Sequence, residues 1–247
     1  MTSFALSLRA EVLKMRRTRA VWLALGAPLS VVCLYLLLIG ADAIDPAKTG
    51  WVQTSMAMLG MWTFLMLPLY IALETALINA LDHEAHGWTH LFALPVPRGA
   101  IHAAKLCVGM ALVGLSSAVL AGGLLGAMAM LKVAGIAAGE PLPWQHVLEG
   151  VTRGYGGALG IIAIHHALSL RLRGFEWPLG IGIVATIFAT QVSRSGDYWP
   201  LFPWSYPTVA TSVPDPATQQ WALLLSGGVA LVAVGIAAID TARRDIA

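Results

Sequence analysis

The sequence predicts an all-α membrane protein: six transmembrane helices, an N-terminal interfacial helix, and a cytoplasmic helix between the second and third spans. Three observations carry that prediction. Hydrophobic residues make up 57% of the 247 positions and charged residues only 11%, whereas a soluble domain carries about 25% charge. The apolar residues gather into runs of about 20, the length a helix needs to cross about 30 Å of hydrocarbon with its backbone satisfied internally. The 15 lysines and arginines are spread unevenly between the loops. No soluble domain large enough to fold alone interrupts the runs, so residues 1–247 read as a single transmembrane domain.

Residues 1–19 alternate apolar Phe4, Leu6, Leu8, Val12 and Met15 with Arg9, Lys14, Arg16, Arg17 and Arg19. That pattern suits a short helix on a membrane surface, its basic side chains at the lipid phosphates. The apolar run that follows is too long for a secretory leader and lacks a small-x-small cleavage site, so it reads as a retained span. Spans are placed at about 20–40, 53–80, 106–132, 151–170, 177–193 and 219–239. Both termini then share one side with eleven of the basic residues, while Lys48, Lys132, Arg153 and Arg194 fall on the other. The positive-inside rule makes the first side cytoplasmic. The outer side carries a long loop, RSGDYWPLFPWSYPTVATSVPDPA, whose aromatic content suits anchoring at the outer membrane interface. Cys33 and Cys107 lie inside apolar runs and pack as small apolar groups, with no disulfide or thiolate metal site implied.

The connection between the second and third spans, LDHEAHGWTHLFALPVPRGAIHAAK, holds His83, His86, His90 and His102 of the chain's 7 histidines. On a helix the first three share a face, a geometry open to zinc or nickel with Glu84 as a base. The zincin pattern needs His-Glu-x-x-His, however, and His83-Glu84-Ala85-His86 is one residue short, while Gly87 weakens the platform. The remainder is more specific. Asp82-His83, Trp88, the run from Leu91 through Leu94-Pro95 to Arg98, and Ala104-Lys105 keep a spacing that resembles the cytoplasmic loop of ABC-2-type transporter permeases, the bacteriocin (lantibiotic) self-immunity branch in particular. Asp82 stands where that branch usually has Glu, and Thr89 where it usually has Lys. The aromatic-proline segment Phe202-Pro203-Trp204-Ser205-Tyr206-Pro207 before the last span fits the same resemblance.

A permease with no nucleotide site needs an amphipathic element that leaves the membrane, offers apolar knobs to a soluble ATPase and returns rigidly. Within residues 82–100 that coupling role falls to Asp82, His83, Trp88, Leu91, Phe92, Leu94, Pro95 and Arg98. Trp88, Leu91, Phe92 and Leu94 are the knobs. Pro95 and Pro97 end the helix, since proline cannot continue its hydrogen-bond ladder. Arg98 and Lys105 hold the returning helix at the phosphate level.

Glu74 lies within the second span, where an ionisable group is costly and therefore a functional candidate. With Asn79 it is placed at the pathway or its gate, a packing role being the alternative. Glu149 and Arg153 are four apart and expected to pair, and His165 and His166 read as packing residues. Gly122 with Gly126 and Gly156 with Gly160 offer small faces for close helix approach. Leu225-Ser226-Gly227-Gly228 spells the start of the ABC ATPase signature, but it sits in the last span, and no Gly-x-x-x-x-Gly-Lys-Ser/Thr loop occurs in the sequence.

The resemblance implies the permease subunit of an ATP-driven exporter in a bacterial plasma membrane. Such a subunit is no enzyme itself: ATP and Mg are held by two copies of a separate ATPase. A second permease subunit, as homodimer or heterodimer, and membrane lipid are the other partners, with no nucleic acid. The cargo implied is a peptide antibiotic or similar amphipathic compound. The rivals are a histidine-based intramembrane metalloenzyme or metal-handling protein, built on the histidines and Glu74, and a non-transporting membrane anchor or sensor.

Overall fold

The computed structural model describes residues 3–15, 18–84, 97–172 and 174–243. Regular structure among them is entirely helical: α1 (Ser3–Met15), α2 (Ala20–Gly40), α3 (Pro46–Met61), a π turn over Trp62–Met66 and α4 (Leu67–Glu84) come first. Beyond the connection lie α5 (Arg98–Val133), α6 (Trp144–Arg171) and α7 (Glu176–Val192), then 3-10 turns at Trp199–Leu201 and Pro203–Ser205, α8 (Tyr206–Ser212) and α9 (Pro216–Arg243).

Among the described residues four stretches are long and apolar enough to cross a membrane: Ala20–Gly40, Pro46–Asn79, Arg98–Val133 and Pro216–Thr241. α7 is apolar but has 17 residues, about 26 Å of helix. α6, with 28 residues, is about 42 Å long but carries Glu149, Arg153, His165 and His166. Two helices start earlier than their apolar runs. Pro97 and Pro143 occupy the N-cap positions of α5 and α6, so Pro97 opens the helix after the connection. A residue with no N–H is tolerated there because the first helical donors have no partner within the helix.

The pass through α3 and α4 is bent twice. Gly50 has φ +79, so Pro46–Thr49 forms a separate turn, and the backbone N–H of Trp51 is capped by the Glu140 carboxylate at 3.2 Å. The π turn precedes Pro68, which has no N–H to continue an α ladder. Widening there brings the Thr63 hydroxyl within 3.1 Å of Thr211 on α8.

α6 and α9 run side by side in the same direction. Arg153 bonds Gln219, Ser226 links Gly157 and Gly160, and Arg171 pairs with Asp240. The expected Glu149–Arg153 ion pair is present at 3.7 Å. Of the two small-residue faces only Gly156 and Gly160 pack, against Leu223 and Ser226, while Gly122 and Gly126 meet nothing within 4 Å. Gly123 takes their place, one position round the helix, against Val32.

The aromatic loop does more than anchor at the interface. Trp204, Ser205 and Tyr206 are buried, with Trp204 edge-on to His165 at 5.5 Å. Tyr206 and Pro207 lie so close to α6 that a Cβ on Gly157 would sit 2.8 Å from the Pro207 Cα. The segment tolerates burial because it bonds itself: Ser205 Oγ donates to the Trp199 and Phe202 carbonyls, and the Tyr206 hydroxyl to Pro200. Tyr198 and Leu201 stay exposed.

Candidate functional site: a polar cluster beside the connection

α1 packs along α5 through Ser7, Glu11 and Met15, while Phe4, Leu6, Val12 and Leu13 stay exposed. The buried stripe thus includes the polar Ser7 and the charged Glu11 beside Met15. Glu11 is buried because it accepts from Lys14 Nζ at 2.8 Å and from Lys105 Nζ at 3.1 Å, the Lys105 side chain being wholly enclosed. Lys105 therefore sits inside the bundle on Glu11 instead of reaching the phosphates, because a desolvated ammonium needs a carboxylate more than it needs lipid.

Lys105 also lines a small cavity with Thr75, Asn79 and His166. The His166 ring lies 6.2 Å from that of His102, near perpendicular. Asn79 donates to the Thr75 carbonyl at 2.9 Å, and its own buried side-chain oxygen has no hydrogen-bond partner. Glu74, a turn deeper along α4, is fully buried. Tyr70 lies close to both Glu74 and Ser116 of α5, yet none of the polar atoms of these three side chains makes a hydrogen bond of good geometry. Asn79 thus lines the cavity, while Glu74 lies beside Tyr70. A carboxyl unsupported at that depth is costly, which keeps Glu74 a functional candidate. His165, fully buried, packs on Trp204 and against Gly182 of α7.

Of the coupling residues, Asp82 and His83 fall in the last turn of α4 and Arg98 opens α5. Trp88, Leu91, Phe92, Leu94 and Pro95 lie outside the described residues, as do His86 and His90. Among the described residues no three His, Cys, Asp or Glu side chains converge as a metal site would need. Sequence reasoning missed the Glu11–Lys105 pair. A signal was there: Glu11 is the sole acidic residue before Asp42, set among basic ones.

Membrane-length helices and a charged latch between α1 and α5 define a multi-pass membrane component. The family model described as ABC-2 family transporter protein matches residues 7–189, from α1 to α7. The chain belongs to that family, and is a permease component of an ABC transporter. Among curated proteins none matches it.

Proposed function

We propose that the chain is the six-span permease half of an ATP-driven exporter in a bacterial plasma membrane, with both termini cytoplasmic. The spans are α2, the α3–α4 pass, α5, α6, α7 and α9. Two copies of a separate ATPase hold ATP and Mg, and a second permease subunit, alike or different, completes the pathway. Residues 82–100 dock on the ATPase, with Trp88, Leu91, Phe92 and Leu94 as knobs, Asp82, His83 and Arg98 around them and Pro95 stiffening the exit. Glu74 and Asn79 belong to the pathway or its gate. The cargo is a peptide antibiotic or similarly amphipathic compound, as in the bacteriocin self-immunity branch.

The observation that carries the coupling reading is where the segment is rooted. It leaves α4 at Glu84 and enters α5 at Arg98, and about two turns further on α5 is fastened to α1 through Lys105 and Glu11. A push on the segment therefore reaches α1, α4 and α5 together. Buried aromatic anchors commonly contribute about 2 kcal/mol or more, roughly thirtyfold in affinity. Trp88→Ala should insert normally yet co-purify poorly with its ATPase, while changing His83, His86 and His90 together to Gln should do much less. A stoichiometric metal that vanishes with the three histidines would instead establish the metal reading. Normal assembly without substrate-stimulated ATP hydrolysis would favour an anchor.

A further inference from the structure

At the end of the bundle away from the connection, a cleft of about 380 Å³ opens between the π turn, the end of α7 and α8. Its lining divides by chemistry. Phe64, Val209 and Val213 form an apolar wall, and Ser193, Arg194 and Thr208 bring polar groups to it. Among the described residues no carboxylate lines it. Among the described residues the Arg194 guanidinium makes no ion pair and no side-chain hydrogen bond, and neither do the hydroxyls of Ser193 and Thr208.

Arg194 follows the last turn of α7, its backbone N–H reaching back to the Gln191 carbonyl at 3.3 Å. A cation at a helix C-terminus offsets the helix dipole. That accounts for the sign of the charge but gives the exposed guanidinium no protein acceptor among the described residues. The planar fork matches phosphate oxygens, to which it can donate two parallel bonds. The cleft falls within the roughly 300–1,000 Å³ of small-ligand sites, room for a headgroup and the first carbons of a chain. A cationic group would be repelled by Arg194, and a soluble anion would leave the Phe64 wall facing water.

We propose that this cleft binds the phosphate head of an anionic lipid, with the anion on Arg194, Ser193 and Thr208 and the adjoining hydrocarbon along Phe64, Val209 and Val213. The site is independent of the cargo and of the ATPase partner. The full chain, purified in a neutral detergent, is offered dioleoylphosphatidylglycerol or dioleoylphosphatidylcholine, and the lipid retained is counted by native mass spectrometry. The parent should favour the anionic lipid about tenfold, the size of one charge-assisted hydrogen bond. Arg194→Gln should abolish the preference, Arg194→Lys should keep part of it, and Phe64→Ala should weaken both lipids alike. Arg153→Gln, at the same end of the bundle but paired with Glu149, should leave the preference intact. Equal preference in the parent and in Arg194→Gln overturns the site. Displacement of the lipid by glycerol 3-phosphate at similar concentration overturns the lipid source in favour of a soluble anion. If Arg194→Gln does not fold, the pair Ser193→Ala with Thr208→Val replaces it, and an unchanged preference there counts against the site equally.

Discussion

Replacing Glu11 by Gln strikes the contact that ties α1 to α5 by charge. The Glu11 side chain is 3% exposed, Lys105 0% and Lys14 32%, so the carboxylate sits between one enclosed ammonium and one that water can reach. Removing one partner from a buried ion pair costs roughly 3–5 kcal/mol, because the charge left behind stays desolvated. The two partners are not equivalent. Glu11→Gln takes this carboxylate from the enclosed Lys105, whose other interactions remain, and should cost about 3 kcal/mol, the low end of that range. Lys105→Met leaves Glu11 with Lys14, fills most of the lost volume with an apolar chain, and should cost only about 1–2 kcal/mol. Glu11→Leu combined with Lys105→Met removes both buried charges and should recover to within about 1 kcal/mol of the parent, or exceed it. Unfolding free energies of the four proteins in one defined micelle give the coupling by a double-mutant cycle. Equal costs for the two single changes, or a coupling below about 0.5 kcal/mol, would refute the reasoning and leave α1 resting on α5 by apolar contact alone.

Ser226→Ala removes the two bonds to Gly157 and Gly160; side-chain bonds between membrane helices average about 0.6 kcal/mol and reach about 1.7, so unfolding free energy should fall by about 1–2 kcal/mol. Gly157→Ala sets a Cβ 2.8 Å from the Pro207 Cα, which cannot rotate away, and should cost about 1–3 kcal/mol, whereas Gly122→Ala, in open space, should stay within about 0.5 kcal/mol. The Asp215 carboxyl, which accepts from the Thr218 hydroxyl and backbone N–H, is held below the usual carboxylate range. Its contribution is therefore present at neutral pH and lost as pH falls through the folded value, and Asp215→Asn should flatten the acid limb of a melting profile. In a background with Cys33 and Cys107 replaced by Ser, cysteines at Thr49 and Ser212 should react with an impermeant reagent from outside and one at Thr89 should be shielded; labelling at Thr89 from outside would reverse the topology.

The spans were legible where the chain changes solvent. α2 matches its predicted bounds because Arg19 and Asp42 bracket an uninterrupted apolar run. α5 was read short by eight residues, since a helical turn that is already polar leaves no trace in a hydropathy count, and Pro97 serves equally as a stop or a start. The fate of residues 199–212 was not legible. Aromatic and proline content is the same for a segment at the interface and for one folded back onto α6; what separates them is the bonding of Ser205 and Tyr206 to nearby carbonyls and the bare surface at Gly157. The connection 82–100 resembles a coupling loop in its spacing, and its knobs fall outside the described residues, so the structure bears only on its two ends.

The polar contacts share one property that explains why sequence patterns miss them. Glu11 meets Lys105, His165 meets Trp204 and Ser226 meets Gly157, each across tens of residues of chain. In water an amphipathic helix advertises its inner face by apolar periodicity, but in lipid the outer face is apolar as well, as Trp177, Val184, Ile187 and Phe188 on α7 are here. Periodicity then ceases to report the side that packs. The residues that do report it are the isolated polar ones, because each must find a partner inside the bundle or stand as a cost. On that criterion α6 and α9, joined by Arg153–Gln219, Ser226 and Arg171–Asp240, are the most specifically bound pair among the described residues, with α5 tied to α1 by Lys105–Glu11 and to α6 by the Tyr155 hydroxyl on the Met110 carbonyl. Because α5 begins where the connection ends, displacement of that segment should move α1, α5, α6 and α9 as one body while α7, with few polar ties among the described residues, adjusts around them.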